Sequence, residues 1–84
     1  MYNIEISPNA QKQLKNIVKK TNKDFILQII DELKENPFLG KQLGKKLQGR
    51  YSFRIGVYRI IYRIKKEEKL VEIINAGHRS NIYQ

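Results

Sequence analysis

With 17 Lys plus Arg against eight Asp plus Glu, the 84-residue chain carries a formal net charge of +9 and has room for one domain, residues 1–84. Lacking cysteine, it has no disulfide, thiol nucleophile or thiolate metal site, and its single histidine, His78, excludes a two-histidine metal site. The start MYNIEISPNA lacks a basic segment followed by an apolar run, and no apolar stretch approaches the roughly 20 residues of a membrane span. A cytoplasmic protein that leaves membranes alone and carries no cofactor is therefore expected. So short a chain buries only roughly 60 to 65 % of its unfolded surface, which favours stabilisation by a partner.

Tyr2, Ile4 and Ile6 alternate with Asn3 and Glu5, the period of a short half-buried strand. Ser7-Pro8 then opens a helix, with serine as a preferred N-cap and proline tolerated where the first N–H has no intrahelical partner. Ala10, Leu14, Ile17 and Val18 recur at helical spacing, leaving Lys12, Lys15 and Lys19 as a solvated face. A break at Thr21-Asn22 leads to a second helix, with Thr21 and Asp24 spaced as a capping pair and Phe25, Ile26, Ile29, Ile30 and Leu33 as its apolar face. It must stop near Asn36, because Pro37 pushes the preceding residue out of the α region. Residues 37–49, PFLGKQLGKKLQG, read as an ordered loop anchored by Phe38, Leu39, Leu43 and Leu47 and carrying Lys41, Lys45 and Lys46. Those lysines serve either phosphate contact or solubility.

Residues 50–64, RYSFRIGVYRIIYRI, form a β-hairpin around Gly56. Tyr51, Phe53 and Ile55 share one face and Ser52 and Arg54 the other. In the second arm Tyr58, Ile60, Tyr62 and Ile64 oppose Val57, Arg59, Ile61 and Arg63. With both apolar combs on one core, Arg54, Arg59 and Arg63 stand together on the far side. A two-layer domain would simply solvate that face, but arginines fixed on strands suit phosphate, which the planar guanidinium binds in a fork. No Asp or Glu occurs from Asn36 through Lys66, so positive charge concentrates around the hairpin. A charged turn, KKEEK at residues 65–69, precedes the apolar strand Leu70 to Ala76 and then Gly77-His78-Arg79. The order is β-α-α-β-β-β: an α+β fold whose antiparallel sheet carries an αα-hairpin on one face.

The set LQGRYSFRIGVYRIIYRI, a charged turn and an apolar strand ending GHRSNIY resembles the RelE/ParE superfamily of toxins from toxin–antitoxin modules. The resemblance implies a microbial RNase-like fold, neutralisation by a cognate acidic antitoxin and, in the RelE branch, metal-independent cleavage of mRNA in the ribosomal A site. Operator DNA would be met only through the antitoxin complex. The resemblance also places catalytic arginines at Arg59, in GVYR, and Arg79, in GHR, and a catalytic tyrosine at Tyr83. Where members of the RelE branch carry two lysines before the glycine turn, this chain has Ser52 and Arg54, and no C-terminal helix is expected after Tyr83.

Cleavage without metal requires the 2′-hydroxyl to attack the adjacent phosphate, so fixed cations must stabilise the phosphorane while protons are moved. Tyr83 and His78 are the candidates for proton transfer, and Tyr83 also suits stacking on a base. Lys45, Lys46, Arg50, Arg54 and Arg63 are candidate RNA contacts. Two other functions fit the same chain: a ParE-like inhibitor of DNA gyrase, and a non-catalytic basic module that binds nucleic acid.

Overall fold

The computed structural model describes residues 1–21, 23–44 and 49–78. Along the chain run β1 (Asn3–Ile6), α1 (Pro8–Lys20), α2 (Lys23–Glu35), a 3₁₀ turn (Pro37–Leu39), β2 (Lys41–Gln42), β3 (Arg50–Ile55), β4 (Tyr58–Lys65) and β5 (Leu70–His78). They form the expected α+β fold with two helices over one face of a sheet, whose order is β1-β5-β4-β3-β2. Every pairing is antiparallel except β1 with β5, which run parallel at the end of the sheet. Among the described residues no helix is long and apolar enough to cross a membrane.

The termini of the helices follow from local chemistry. The Ser7 hydroxyl accepts from the Ala10 N–H at 3.1 Å, capping α1 ahead of Pro8. Thr21, expected to cap the second helix with Asp24, instead donates its hydroxyl to the Ile17 carbonyl at 2.9 Å and closes the end of α1. Asp24 lies in the first turn of α2, where a negative charge complements the helix dipole. Asn36, extended before Pro37, accepts from the Phe38 N–H through its side chain at 3.1 Å and starts the 3₁₀ turn.

Ala10, Leu14 and Ile17 of α1 and Ile26, Ile29 and Leu33 of α2 pack against Ile55, Ile60, Tyr62, Val71, Ile73 and Ala76 of the sheet. A β-bulge lets β5 supply that face: Ile61 pairs with Asn75 but Tyr62 pairs with Ile73, so Ile74 has no opposite number. The extra residue shifts the alternation by one, so that Ile73 and Ala76, three apart, are both buried under the helices. Helix α1 satisfies the backbone that the bulge disturbs. Gln13 accepts from the Ala76 N–H at 2.9 Å, and Ser7 donates to the Ile74 carbonyl at 3.0 Å.

Of the expected loop anchors, Leu43 is half-buried, Leu47 lies outside the described residues, and Phe38 and Leu39 do not anchor the start of the loop. Phe38 and Leu39 are about half exposed, at 46% and 49%, whereas Tyr62, fully buried in β4, donates to the Pro37 carbonyl at 2.7 Å and accepts from the Gly40 N–H at 3.0 Å. Gly40 is required there, since a Cβ would lie 2.5 Å from the Tyr62 hydroxyl oxygen. Burial above all, with a smaller push from Tyr51, raises the Tyr62 hydroxyl from 10.0 to about 12 against the lowering effect of the Gly40 N–H. Tyr62→Phe, which leaves the Pro37 carbonyl and Gly40 N–H without this partner, is expected to cost about 1 to 3 kcal/mol at neutral pH. Because the folded state holds the tyrosine proton more tightly than the unfolded chain does, this stabilisation is constant below about pH 10 and is lost as pH rises through about 12. Denaturant titrations at about pH 7 and about pH 11 should show the gap between wild type and Tyr62→Phe narrowing, and a constant gap would contradict the assignment.

Candidate nucleic-acid interface

On the sheet face away from the helices, strand register determines which cations meet. Across β3 and β4, Arg50 pairs with Arg63, Ser52 with Ile61 and Arg54 with Arg59, so two arginine pairs flank a small central row. Like charges directly opposite one another across a sheet are destabilising, so a bare solvated face gains nothing from this arrangement. An anion lying between them would reverse the sign. The row is extended by Lys41 of β2, which pairs with Ser52 on its other side. Arg50, a candidate RNA contact at the start of the hairpin, thus joins Arg54, Arg59 and Arg63 on one surface.

Three of the four arginines are held in different ways. Arg63 meets Glu72 of β5 in an ion pair of 3.0 Å, its side chain 48% exposed. Exposure keeps the energy of that pair small, but it fixes where the guanidinium points. Arg54 donates its Nε–H to the Gly56 carbonyl at 3.2 Å and so leans toward the hairpin turn. Gly56, with φ +58, supplies the left-handed first position of that two-residue turn, and Val57 takes the second. Arg59 leans the opposite way, along the sheet, and donates from Nη1 to the Ser52 hydroxyl at 3.3 Å. It is half-buried, whereas Arg54 and Arg63 are exposed. Beneath it the central pair is closed off: Ser52 and Ile61 are each only 2% exposed, although Ile61 takes no part in the core under the helices.

His78 does not reach this surface. It pairs with Tyr58, touches that ring edge-on at a centroid distance of 6.0 Å, and lines a small cleft with Gln13, Asn16, Ile17 and Lys20 of α1. The bulge at Ile74 is the reason. Unbroken alternation from Val71 and Ile73 would send His78 to the arginine side, and the one-residue shift sends it to the helix side. Lys45, Lys46, Arg79 and Tyr83 lie outside the described residues. Sequence reasoning missed the hydroxyl of Ser52 as a partner for Arg59 and the carboxylate of Glu72 as a partner for Arg63. Both depend on register across strands, which only the paired structure supplies.

The family described as the ParE toxin of type II toxin–antitoxin systems, parDE, matches residues 4–83 of this chain. Toxin RelG of Mycobacterium tuberculosis is 30% identical over 84 residues, covering 99% of this chain and 97% of that protein. Toxin RelE of the same organism is 33% identical over 84 residues, covering 99% and 87%. Among solved structures, the toxin–antitoxin complex RelBE2 of M. tuberculosis contains a chain that superposes with a TM-score of 0.72 at 28% identity, covering 93% of this chain and 98% of that one.

Proposed function

We propose that this chain, which belongs to the RelE/ParE family of toxins of type II toxin–antitoxin systems, is a ribosome-dependent endoribonuclease that cuts mRNA. The observation that carries the reading is Arg59: a half-buried arginine on an interior strand, hydrogen-bonded to Ser52 and sharing its sheet face with Arg50, Arg54 and Arg63. Such a cation is set before the substrate arrives, so it stabilises developing phosphorane charge without reorganising. In the reaction the ribose 2′-oxygen bonds to the adjacent phosphorus while its proton leaves to a base. The bond to the 5′-oxygen then breaks, and that oxygen takes up a proton. Arg59 binds the phosphoryl oxygens, and Arg54, Arg50 and Arg63 hold neighbouring phosphates. The family resemblance assigns Arg79 as a second cation and Tyr83 as the proton carrier or stacking partner. The position of His78 across the sheet counts against its service at the phosphate that Arg59 binds. The matching family is described as the ParE toxin while both relatives carry Rel names, so the choice of RNA over gyrase rests on the arginine face and not on the names. Induction in a translating system, with mRNA ends mapped by primer extension, tests this: new ends are expected, and trapped gyrase–DNA complexes with intact mRNA would overturn it.

The partner is an acidic antitoxin with a partly disordered segment that wraps the domain. A toxin–antitoxin complex among the structural relatives and the charge of this chain support it. So does an open apolar groove along α1 and α2, where Leu14, Val18, Ile26 and Ile30 lie between Lys12, Lys15, Lys19 and Lys23. Ordering a disordered segment costs free energy, which a large wrapped surface outweighs. The product of the neighbouring gene is expected to co-purify with the chain in salt-sensitive fashion and to abolish its activity. A chain that stays fully active with that neighbour bound would contradict this.

A further inference from the structure

Ser52 interrupts the arginines on the outer face of β3, and its surroundings give it a task of its own. At 2% exposure it is deeply buried, and it lies between Arg50 and Arg54 on the arginine face. A hydroxyl that deeply placed requires a hydrogen-bond partner, and it accepts from Arg59 Nη1 at 3.3 Å. Arg59 is not the residue opposite Ser52 but the diagonal neighbour, since Arg59 pairs with Arg54 and Ser52 with Ile61. Diagonal neighbours are within reach of a long side chain that lies along the sheet. That acceptor draws the Arg59 guanidinium away from the like charge of Arg54 directly opposite. The bond thus draws the guanidinium toward Ser52, whose row lies between the two arginine pairs.

We infer that Ser52 is a positioning residue for Arg59: its hydroxyl fixes the guanidinium over the centre of the arginine face and does not itself touch the RNA. The inference rests on the reading of Arg59 as the cation that stabilises the phosphorane. At 2% exposure the Ser52 hydroxyl is closed off from a phosphate on the surface.

Arginine side-chain ¹⁵N relaxation on the purified chain tests the positioning, and single-turnover cleavage tests its consequence. The Arg59 Nε–H is expected to be ordered in the wild type, markedly more mobile in Ser52→Ala and ordered again in Ser52→Thr, with the three melting alike. In cleavage, Ser52→Ala should lose roughly ten- to a hundredfold in the chemical rate at saturating substrate, as small misplacement of a catalytic group does. KM should shift by less than about twofold, Ser52→Thr should recover the rate, and Ser52→Ala should add no further loss in an Arg59→Ala background. An Arg59 equally mobile in the wild type and in Ser52→Ala overturns the inference, as does a Ser52→Ala loss that multiplies with that of Arg59→Ala. If the wild type cuts no RNA while Ser52 still orders Arg59, the nuclease reading fails and the link between the two residues stands.

Discussion

Arg59→Ala is expected to slow mRNA cleavage by a few hundredfold or more while the protein stays folded. The magnitude follows from removing one preorganised donor aimed at developing charge, which typically costs about 3 to 4 kcal/mol in the transition state. The fold should survive because Arg59 projects from the face opposite the core, and its removal also relieves repulsion from Arg54. Arg59→Lys is expected to recover only part of the rate, since an ammonium keeps the charge but cannot hold Ser52 and a phosphate in one planar fork. Thermal melts run beside primer extension check both statements. Wild-type cleavage by Arg59→Ala, or its unfolding, would remove Arg59 from the site.

One residue along the same strand, Ile60→Ala should do the reverse. Ile60 is 0% exposed and packs in the core beneath the helices, so truncation leaves a cavity and costs about 2 to 5 kcal/mol. That is a large share of the roughly 5 to 15 kcal/mol that holds a small domain together, and the melting temperature should fall by well over about 10 °C. Cleavage per folded molecule should be unchanged at a temperature where the variant remains folded. Measured in parallel, the adjacent substitutions separate chemistry from stability across a single peptide bond. A stable Ile60→Ala would contradict the register that sets Arg59 and Ile60 on opposite faces.

That register was legible in the sequence because the hairpin arms alternate strictly and Gly56 marks the turn, so Tyr51, Phe53, Ile60 and Tyr62 could be set against Arg54, Arg59 and Arg63 by counting. The two helices were legible from Ser7-Pro8 and from the spacing of Ala10, Leu14, Ile26 and Leu33. Direction was not: β1 lies parallel to β5 because Asn3 pairs with Leu70, and alternation carries no information about a partner so far along the chain. The bulge was hidden for a related reason. In LVEIINA nearly every residue is apolar, so the extra Ile74 breaks no visible pattern, yet it moves His78 to the helix side. Long-range hydroxyl contacts were equally out of reach. Tyr62 reads as core by its spacing, but only the fold shows its hydroxyl pinning Pro37 and Gly40, and Ser52 reads as a lost cation until Arg59 is seen leaning on it.

The central claim is that the arginine face cuts mRNA on the ribosome. The most direct measurement adds the purified chain to reconstituted ribosomes stalled with a defined codon in the A site and maps both ends of the mRNA fragments. The account predicts cuts confined to that codon, absent when ribosomes are omitted and absent with Arg59→Ala. Intact mRNA on occupied ribosomes, or equal cutting of the same mRNA free in solution, would contradict it.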